Sequence, residues 1–250
     1  MTRRSSSETA RPGLIDQQPE QPPLDRFRGR QAEAAVNDAR VLEAAREIFA
    51  TAGWEAPVSL VAQRAGVGMG SLYRRYGSKE DLLRHLCLLS LQQMKTEAEA
   101  ALNDPADSDW HKFEAFVRRC VSHRAGAFGP IAGHLPASEE MSQAAEQVNH
   151  KVQKLVKRTQ RAGALRPDVT AVDIYQLLEL FSRSERVTEP QSHGDTVSDL
   201  QAIRHERILT MVLAGLRPEA AELHSLPRAP SWRNYRAQWA TAANERPDLS

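Results

Sequence analysis

The sequence has few of the residues and patterns that mark secreted, metal-binding or membrane-spanning proteins. Only two of its 250 residues are cysteine, Cys87 and Cys120, and they lie far apart on apolar helical faces. This spacing favours neither a disulfide framework nor a zinc site, and we expect both thiols to be buried. No apolar run approaches about eighteen residues and no signal peptide is recognisable, so we expect a cytoplasmic protein without a membrane partner.

The chain also lacks the period-two alternation of apolar and polar residues that is typical of strands. Apolar residues recur at helical spacing instead, which predicts an all-α fold. A G-x-G-x-G motif at residues 66–70 follows a helical pattern rather than a strand and lacks the Gly-Lys-Ser/Thr of a phosphate-binding loop. Nor is there a nucleophile elbow for a Ser-His-Asp hydrolase. We therefore expect a protein that is not an enzyme and that needs no cofactor or metal.

Charge is nearly balanced over the whole chain, with 33 Lys and Arg residues against 32 Asp and Glu. The basic residues are nevertheless concentrated locally, because Arg64, Arg74, Arg75 and Lys79 lie in a stretch that contains no Asp or Glu. A local basic excess is what a DNA-binding surface requires, since its partner is a phosphate backbone. Charge alone would fit a solvated helical hairpin equally well, and it is the spacing of the surrounding helices that favours a DNA-binding surface.

Short helical patterns surround this basic stretch. They predict a first helix from the N-cap Asn37 to Gly53, a second from the N-cap Ser59 to Gly66, a third over Met69–Tyr76, and a fourth from the N-cap Ser78 to Leu102. Glycines at 66 and 68 permit a tight turn between the second and third helices. The pattern therefore predicts a helix-turn-helix unit in which Leu72 faces inward and the third helix reads DNA.

These residues resemble the TetR family of one-component transcriptional regulators. The resemblance covers about fifty residues, with matches at Val41–Ala45, Phe49, Gly53, Ser59–Ala62, Arg64–Val67, Gly70–Tyr73, Tyr76 and Ser78–Leu83. The sequence departs from the family pattern at Gly68 and Ser71, where Ser or Thr and Thr are usual, and at Tyr76, where Phe is usual. A glycine N-cap in place of a hydroxyl costs only about a few tenths of a kcal/mol.

The resemblance implies roles for individual residues. In the family, some positions lie near the major groove and others hold phosphates. The matching residues of this sequence form the predicted DNA-binding set: Ser59, Met69, Gly70, Ser71, Tyr73, Arg74, Arg75, Tyr76 and Lys79. The base sequence of the operator is not readable, because an arginine that contacts guanine and one that follows the backbone look identical in sequence.

Four regions are predicted. They are a disordered basic arm (1–36), the helix-turn-helix domain (37–83), a helical effector-binding and dimerisation domain (84–218), and a tail (219–250). The helical domain is expected to continue near Trp110–His123, Glu139–Arg161, Thr170–Ser182 and Val197–Leu216. The basic cluster 26–30 in the arm either enters the minor groove or contacts nothing. In the tail, Trp232, Tyr235 and Trp239 fall at near-helical spacing, and a docked short helix is favoured slightly over disorder.

An effector cavity is expected among the middle helices. Its predicted lining consists of aromatic, polar and sulfur-containing side chains: Trp110, Phe113, Phe116, His123, Phe128, Met141 and Tyr175, with His134 and His150 as further polar candidates. Aromatic residues at helical spacing belong more often to an ordinary core. Residues Gly126–Pro136, rich in Gly, Pro and His, are the candidate mouth or moving part of this cavity, and we call them the gate segment.

The family forms dimers through its last two long helices, which implies a homodimer here. The predicted interface is apolar: Leu178, Phe181, Leu200, Ile203, Ile208, Met211 and Val212. The linker Arg183–Asp195 between these helices is expected to be exposed. The sequence thus predicts a repressor that binds double-stranded operator DNA of palindromic sequence and responds to an unidentified small-molecule effector. The alternative is a helical dimer that binds a small molecule or protein without reading DNA.

Overall fold

The computed structural model describes residues 23–105, 108–136, 138–183 and 195–237. Its helices are α1 (Pro23–Ala52), α2 (Val58–Ala65), α3 (Met69–Tyr76), α4 (Lys79–Asn103), α5 (Asp109–Ser122), α6 (Gly129–Ala132), α7 (Glu139–Arg161), α8 (Ala171–Arg183), α9 (Asp195–Gly215) and α10 (Pro218–Leu223). Residues 232–237 are also helical. No strand occurs in the described ranges, and the predicted all-α class is confirmed.

The chain divides into two compact units, Met1–Asp38 and Ala39–Ser250. In the first unit the described residues are helical from Pro23 onward, which corrects the expected disordered arm through residue 36. Two features of the sequence explain this helix. Proline is well suited to a first helical turn, and Arg, Gln, Glu and Ala predominate among the following residues, which outweighs the cost of Gly29. The basic cluster 26–30 therefore lies on helical backbone.

The second unit contains two clusters of buried side chains. One cluster joins the described part of α1 to α2, α3 and the start of α4 around Phe49, Leu72 and Leu83. The other joins the rest of α4 to α5, α7, α8 and α9 and includes Phe113 and Leu155. Helix α4 contributes to both clusters, so it connects α2 and α3 mechanically to the helices of the second cluster, which we call the larger domain.

Most predicted helix ends agree with the structure, and three do not, the first being the start of α1 at Pro23 rather than at the expected N-cap Asn37. The third helix spans Met69–Tyr76 as predicted, and Ser78 caps α4 by accepting a hydrogen bond of 3.0 Å from the Asp81 N–H. Helix α2, however, begins at Val58 with Pro57 as N-cap, so Ser59 is not the cap and lies in the first turn. The helical pattern also continues past Pro218, where α10 begins.

The two cysteines are buried, as predicted. Burial raises the pKa of the Cys87 thiol to about 12 and also raises that of Cys120, so both stay protonated at neutral pH. Within the described ranges, no group of three or more His, Cys, Asp or Glu side chains is placed to hold a metal ion. A search of the same residues for a helix long and apolar enough to cross a membrane finds none.

Residues 224–237, which we call the C-terminal segment, are fastened to the larger domain. Asp168 accepts a hydrogen bond of 2.9 Å from the Leu226 N–H, and the Arg166 guanidinium donates to the His224 carbonyl oxygen at 2.6 Å. Trp232 is half-buried and Tyr235 is buried, which confirms the favoured docking for these two aromatic residues. Trp239 and most of the predicted linker, residues 184–194, lie outside the described residues.

Candidate DNA interface and effector cavity

The turn between α2 and α3 presents the predicted reading helix. Gly66 has a φ of +69°, a left-handed conformation that glycine adopts without steric cost, and Gly68 has an ordinary negative φ. The Val67 N–H donates to the Ala62 carbonyl oxygen at 3.0 Å, which ends α2, and Val67 packs half-buried against the adjoining core. One left-handed glycine is therefore sufficient for the turn between these helices.

Helix α3 has one buried face and one exposed face. Leu72 is buried in the core as predicted, whereas the Tyr73 side chain is 42% exposed. Arg74 and Arg75 are exposed, and an Arg74 guanidinium nitrogen donates to the Ser71 hydroxyl at 3.3 Å. Glycine at 70, also exposed, leaves open space where a side chain would stand. The exposed face thus offers donors suited to base edges and phosphates, and no acidic residue of α3 opposes them.

Three of the other predicted DNA-binding residues pack against neighbouring side chains, and the fourth, Ser59, is exposed. The Lys79 ammonium lies 5.3 Å from the Trp54 ring centre and 5.8 Å from the Phe49 ring centre, so aromatic faces hold its charge in place. Tyr76 is half-buried 5.9 Å from the His85 ring, and burial raises the pKa of its phenol. Met69 is half-buried against the core. Ser59 is exposed at the first turn of α2, where its hydroxyl and the helix dipole both favour a phosphate.

One basic residue of the cluster is engaged by a carboxylate. The Arg64 guanidinium lies 3.0 Å from a Glu47 carboxylate oxygen of α1. This ion pair reduces its contribution to the local positive potential. Arg74, which is exposed on α3, and Lys79, which aromatic rings hold in place, are therefore better placed than Arg64 for contacting DNA.

A cavity of about 570 Å³ lies in the larger domain. Residues of α4, the gate segment, α7, α8 and the C-terminal segment enclose it. The described lining residues are mostly apolar: Cys87, Ser90, Leu91, Met94, Ala125, Gly126, Phe128, Gly129, Ala132, Leu135, Pro136, Ser138, Met141, Ser142, Ala145, Val148, Tyr175, Glu179, Trp232, Tyr235 and Arg236. Such a volume and lining are typical of a site for a small organic molecule.

Three of the seven predicted cavity residues, Phe128, Met141 and Tyr175, line this space. Phe113 and Phe116 do not, because they are fully buried in the packed core. Neither do the remaining two. The Trp110 indole N–H donates to Glu114 at 2.8 Å, and His123 is exposed with its imidazole 3.7 Å from Glu97.

The two further histidine candidates also lie elsewhere. The His134 ring stacks on the Trp54 ring with centres 5.3 Å apart, whereas His150 is exposed on α7.

The sequence-based prediction missed the polar end of the cavity. Glu179, Trp232, Tyr235 and Arg236 line it although none of them was predicted to do so. The near-helical spacing of Trp232 and Tyr235 indicated docking but not the docking site. Glu179 lies one residue after Leu178, and its helical register gave no sign of a cavity.

The predicted dimer face is partly corrected. Leu178 and Phe181 are buried within their own subunit, where both belong to the buried cluster that contains Phe113 and Leu155. Leu180, which was not predicted, is exposed together with Leu200, Ile203 and Met211, at 57% to 69% of their surface. Ile208 is 39% exposed and Val212 is half-buried. We call Leu180, Leu200, Ile203, Ile208 and Met211 the apolar face.

Two family models match the chain. One, described as bacterial regulatory proteins of the tetR family, matches residues 41–86, and the other, described as the C-terminal domain of SbtR-like transcriptional regulators, matches residues 110–218. Together they cover more than half of the sequence. The chain belongs to the TetR family.

Solved structures of TetR-family proteins resemble it as well. A regulator from Mycobacterium vanbaalenii is 27% identical, with 75% of this chain and 98% of that chain covered and a TM-score of 0.48. One from Streptomyces coelicolor is 23% identical (73% and 98% covered, TM-score 0.47), and one from Rhodococcus RHA1 is 21% identical (72% and 97% covered, TM-score 0.49). The comparison with curated proteins gives no match.

Family membership decides between the alternatives that the sequence left open. TetR-family proteins are DNA-binding transcriptional regulators and not enzymes, so this chain is a ligand-responsive DNA-binding regulator. A helical module that does not bind DNA is set aside on the same ground. The cavity and the exposed face of α3 are candidates for the two parts that such a regulator needs.

Proposed function

We propose that this TetR-family protein is a repressor that binds a palindromic operator as a homodimer and releases it when a small molecule occupies the cavity. The observation that carries the proposal is the position of the gate segment. Phe128 and Leu135 line the cavity and also belong to the buried cluster of the DNA-binding helices. A ligand that displaces these side chains therefore acts directly on the support of α3.

The contacts with DNA are proposed from exposure and chemistry. Tyr73 and Arg74 project from α3 and reach base edges, with Gly70 and Ser71 allowing a close approach of the helix to the major groove. Ser59, Arg75, Tyr76 and Lys79 bind phosphates on either side, and Met69 packs where the helix meets the groove. The cation–π contacts of Lys79 restrict its side chain before binding, so less conformational entropy is lost on contact with a phosphate.

A second contact joins the gate segment to the DNA-binding domain. His134 of the gate segment stacks on Trp54, and the same Trp54 ring lies 5.3 Å from the Lys79 ammonium. Three residues thus connect the cavity wall to a proposed phosphate contact. Movement of the gate segment changes the Trp54 position, which in turn changes the support of Lys79.

The homodimer is proposed through the apolar face. Four large apolar side chains that are each more than half exposed are unusual on two neighbouring helices of a lone subunit, and an isologous pairing would bury them. A two-fold dimer places its reading helices about 34 to 36 Å apart, one turn of DNA. Effector binding then acts by favouring a spacing that does not match the operator.

Selection of bound fragments from a random duplex library by the full chain tests this function. We expect enrichment of an inverted repeat whose half-site centres are about one helical turn apart, or a multiple of it. A double variant, Tyr73→Ala with Arg74→Ala, should enrich no specific DNA sequence, while its circular dichroism spectrum should remain helical. A repeat without inverted symmetry, or no enriched sequence, would overturn the proposed operator.

A further inference from the structure

Both charged side chains of the cavity lining are held by other groups of the protein. Among the described lining residues only Glu179 and Arg236 carry charge at neutral pH. A Glu179 carboxylate oxygen accepts a hydrogen bond of 2.8 Å from the Tyr235 hydroxyl. The Arg236 guanidinium lies 2.6 Å from a carboxylate oxygen of Glu146, which is not part of the lining, and donates to the Ser142 hydroxyl at 3.2 Å. A charged ligand would have to displace these contacts to reach either group.

Several uncharged polar groups of the lining also have partners within the protein. The Ser90 hydroxyl donates to the Ala125 carbonyl oxygen at 2.9 Å, and the Trp232 indole N–H donates to Glu146 at 2.8 Å. The Cys87 thiol lies 3.8 Å from a backbone carbonyl oxygen of the gate segment. These donors are therefore engaged before a ligand enters the cavity.

Three aromatic rings form the surface at the polar end of the cavity, and we call Tyr175, Trp232 and Tyr235 the aromatic cluster. The two tyrosine rings stack with centres 5.6 Å apart and an interplanar angle of 17°. The Trp232 ring centre lies 5.4 Å from that of Tyr175 and 5.8 Å from that of Tyr235. Burial raises the pKa of both phenols, so both remain neutral throughout the physiological range. The aromatic cluster thus offers uncharged ring surface to a ligand.

Such a cavity discriminates against charge of either sign. An ion that enters it loses its hydration, and a lining whose own polar groups are paired returns little of that free energy. Apolar surface, in contrast, gains free energy in proportion to the area that is removed from water. The remaining lining residues are chiefly Leu, Met, Ala, Gly and Phe, and they favour an apolar ligand.

We propose that the effector is an uncharged, largely apolar molecule that binds against the aromatic cluster. The inference rests on the proposed function of the cavity as effector site. A volume of about 570 Å³ accommodates a molecule of drug size.

The C-terminal segment contributes strongly to this selectivity. Two of the three rings come from it, and it lies beyond residue 218, where the matched C-terminal domain ends. The indole N–H of Trp232 and the guanidinium of Arg236 both bond to Glu146 of α7, so the polar atoms fasten the segment while its rings line the cavity. The proposed ligand class is thus a property of this chain's own sequence rather than of the matched domain.

Three probes with the same number of carbon atoms and different charge test the proposal. They are butylbenzene, phenylbutylammonium and phenylbutanoate, and the full chain is titrated into each of them in a calorimeter. We expect butylbenzene to bind at least about tenfold more tightly than either ion, because nothing in the cavity offsets the desolvation of a charge. An ion that binds as tightly as butylbenzene, or no binding of butylbenzene, would overturn the proposal.

A variant that fills the cavity assigns binding to this site. Ala145→Phe places a ring in the lining and should lower the affinity for butylbenzene at least about tenfold, because a close-packed interior leaves no other room for the probe. Ala100→Phe, the same change at an exposed residue of α4, is the matched control and should behave as wild type. Thermal unfolding identifies a variant that fails to fold, and Ala145→Leu then replaces Ala145→Phe. Unaltered affinity in a folded cavity variant would overturn the assigned site.

A second variant asks whether the carboxylate of the lining is available to a ligand. Glu179→Gln keeps a hydrogen-bond acceptor for Tyr235 and removes the charge, and butylbenzene should remain the tightest-binding probe. Glu222→Gln, an exposed change on α10 outside the cavity, is its control. A loss of about tenfold or more in affinity for phenylbutylammonium in Glu179→Gln alone would show that Glu179 binds cations, and the proposal would fall.

Operator binding, measured on the same preparations, separates this proposal from the proposed function. If the protein binds its operator and prefers one of the ions, only the uncharged effector is wrong. If butylbenzene binds most tightly but operator binding does not respond to it, the ligand class stands and the role of the cavity in regulation fails.

Discussion

The residues that we propose to contact DNA differ in how firmly the fold holds them. Lys79 lies against two aromatic rings, whereas Tyr73 and Arg74 project from α3 into solvent. A side chain fixed by its own domain is suited to a contact that all DNA sequences share. Exposed side chains can instead adapt to the edges of particular base pairs.

Replacing Lys79 by Ala should weaken binding to operator and random DNA alike. The dependence of log affinity on log salt concentration should become less steep by about 0.9, because one fewer counterion is released. Fluorescence anisotropy over a range of salt concentrations measures this slope. Lys157→Ala, an exposed change on α7, is the control and should leave it unaltered. A slope unaltered in Lys79→Ala as well would remove Lys79 from the interface.

Tyr73→Ala and Arg74→Ala should mainly affect sequence preference. Each should cost about 1 to 3 kcal/mol on the operator and much less on random duplex, since a base-edge contact is lost. Competition binding with the two kinds of DNA gives the difference, and Arg161→Ala at the exposed end of α7 serves as a charge control. Intact preference in both variants would mean that α3 does not read bases.

The attachment of the C-terminal segment should weaken as the pH falls. Hydrogen bonds from Arg166 and then from the Leu226 N–H lower the pKa of Asp168 from 3.8 to about 2. The folded state therefore favours the ionised form, and its stabilisation is present above about pH 4 and lost as the pH falls towards 2. Urea unfolding between these pH values should show a steeper loss of stability for wild type than for Asp168→Asn. The control Glu219→Gln, on exposed α10, should follow wild type; parallel curves for Asp168→Asn would contradict the attachment.

At the scale of helices, the sequence predicted where the helices begin and end better than it predicted which of their faces are covered by other helices. The bounds of α3 were correct because Gly66 and Gly77, both at positive φ, flank a short pattern that allows few alternatives. The start of α1 was missed because it lacks an apolar stripe and relies on helix propensity, which a search for periodicity overlooks. The bounds of α5, α7 and α8 fell within one residue of prediction because their apolar stripes are pronounced, and those of α9 fell within two residues.

The cavity and the dimer face were harder to predict because periodicity identifies an apolar face but not what covers it. Phe113 and Phe128 look alike in sequence, yet the first packs in the core and the second lines the cavity. Leu178 and Leu180 lie on one helix, and only the second is exposed. Which face is covered depends on the packing of distant helices, and that information is absent from any local pattern.

The loop between α5 and α6 approaches α8 closely at one glycine. A Cβ atom added at Gly126 would lie 2.3 Å from the Leu178 carbonyl carbon, and this backbone atom cannot move aside as a side chain would. Gly126→Ala should therefore destabilise the protein by about 1 to 3 kcal/mol in urea unfolding, and it should shift the gate segment. Gly215→Ala, where a Cβ meets nothing within 4 Å, is the control and should be neutral or stabilising. Unchanged stability in Gly126→Ala would show that the contact is looser than described.

At the scale of the whole molecule, the proposed function requires two subunits to form a dimer. A subunit alone presents one copy of α3 and a largely exposed apolar face, whereas the proposed dimer would bury that face and hold two copies of α3 together. Operator affinity thus depends on residues that never touch DNA.

Charge on the apolar face should separate the subunits. The double variant Ile203→Glu with Met211→Glu places two carboxylates where the partner subunit would exclude water, so analytical ultracentrifugation should show monomers. Operator affinity should fall far more than affinity for random DNA. Ala100→Glu on the exposed surface of α4 introduces the same charge away from this face and should remain dimeric. A dimeric double variant that still binds its operator would place the interface elsewhere.

The shared position of the gate segment between cavity and DNA-binding core also has a consequence for the living cell. Linkage between two binding equilibria is reciprocal, so in the proposed release mechanism the operator weakens effector binding by the same factor by which the effector weakens operator binding. A regulator molecule seated on its promoter is therefore a less sensitive detector than one in free solution. Extra copies of the operator, as on a multicopy plasmid, should raise the effector concentration at which the population of regulator responds.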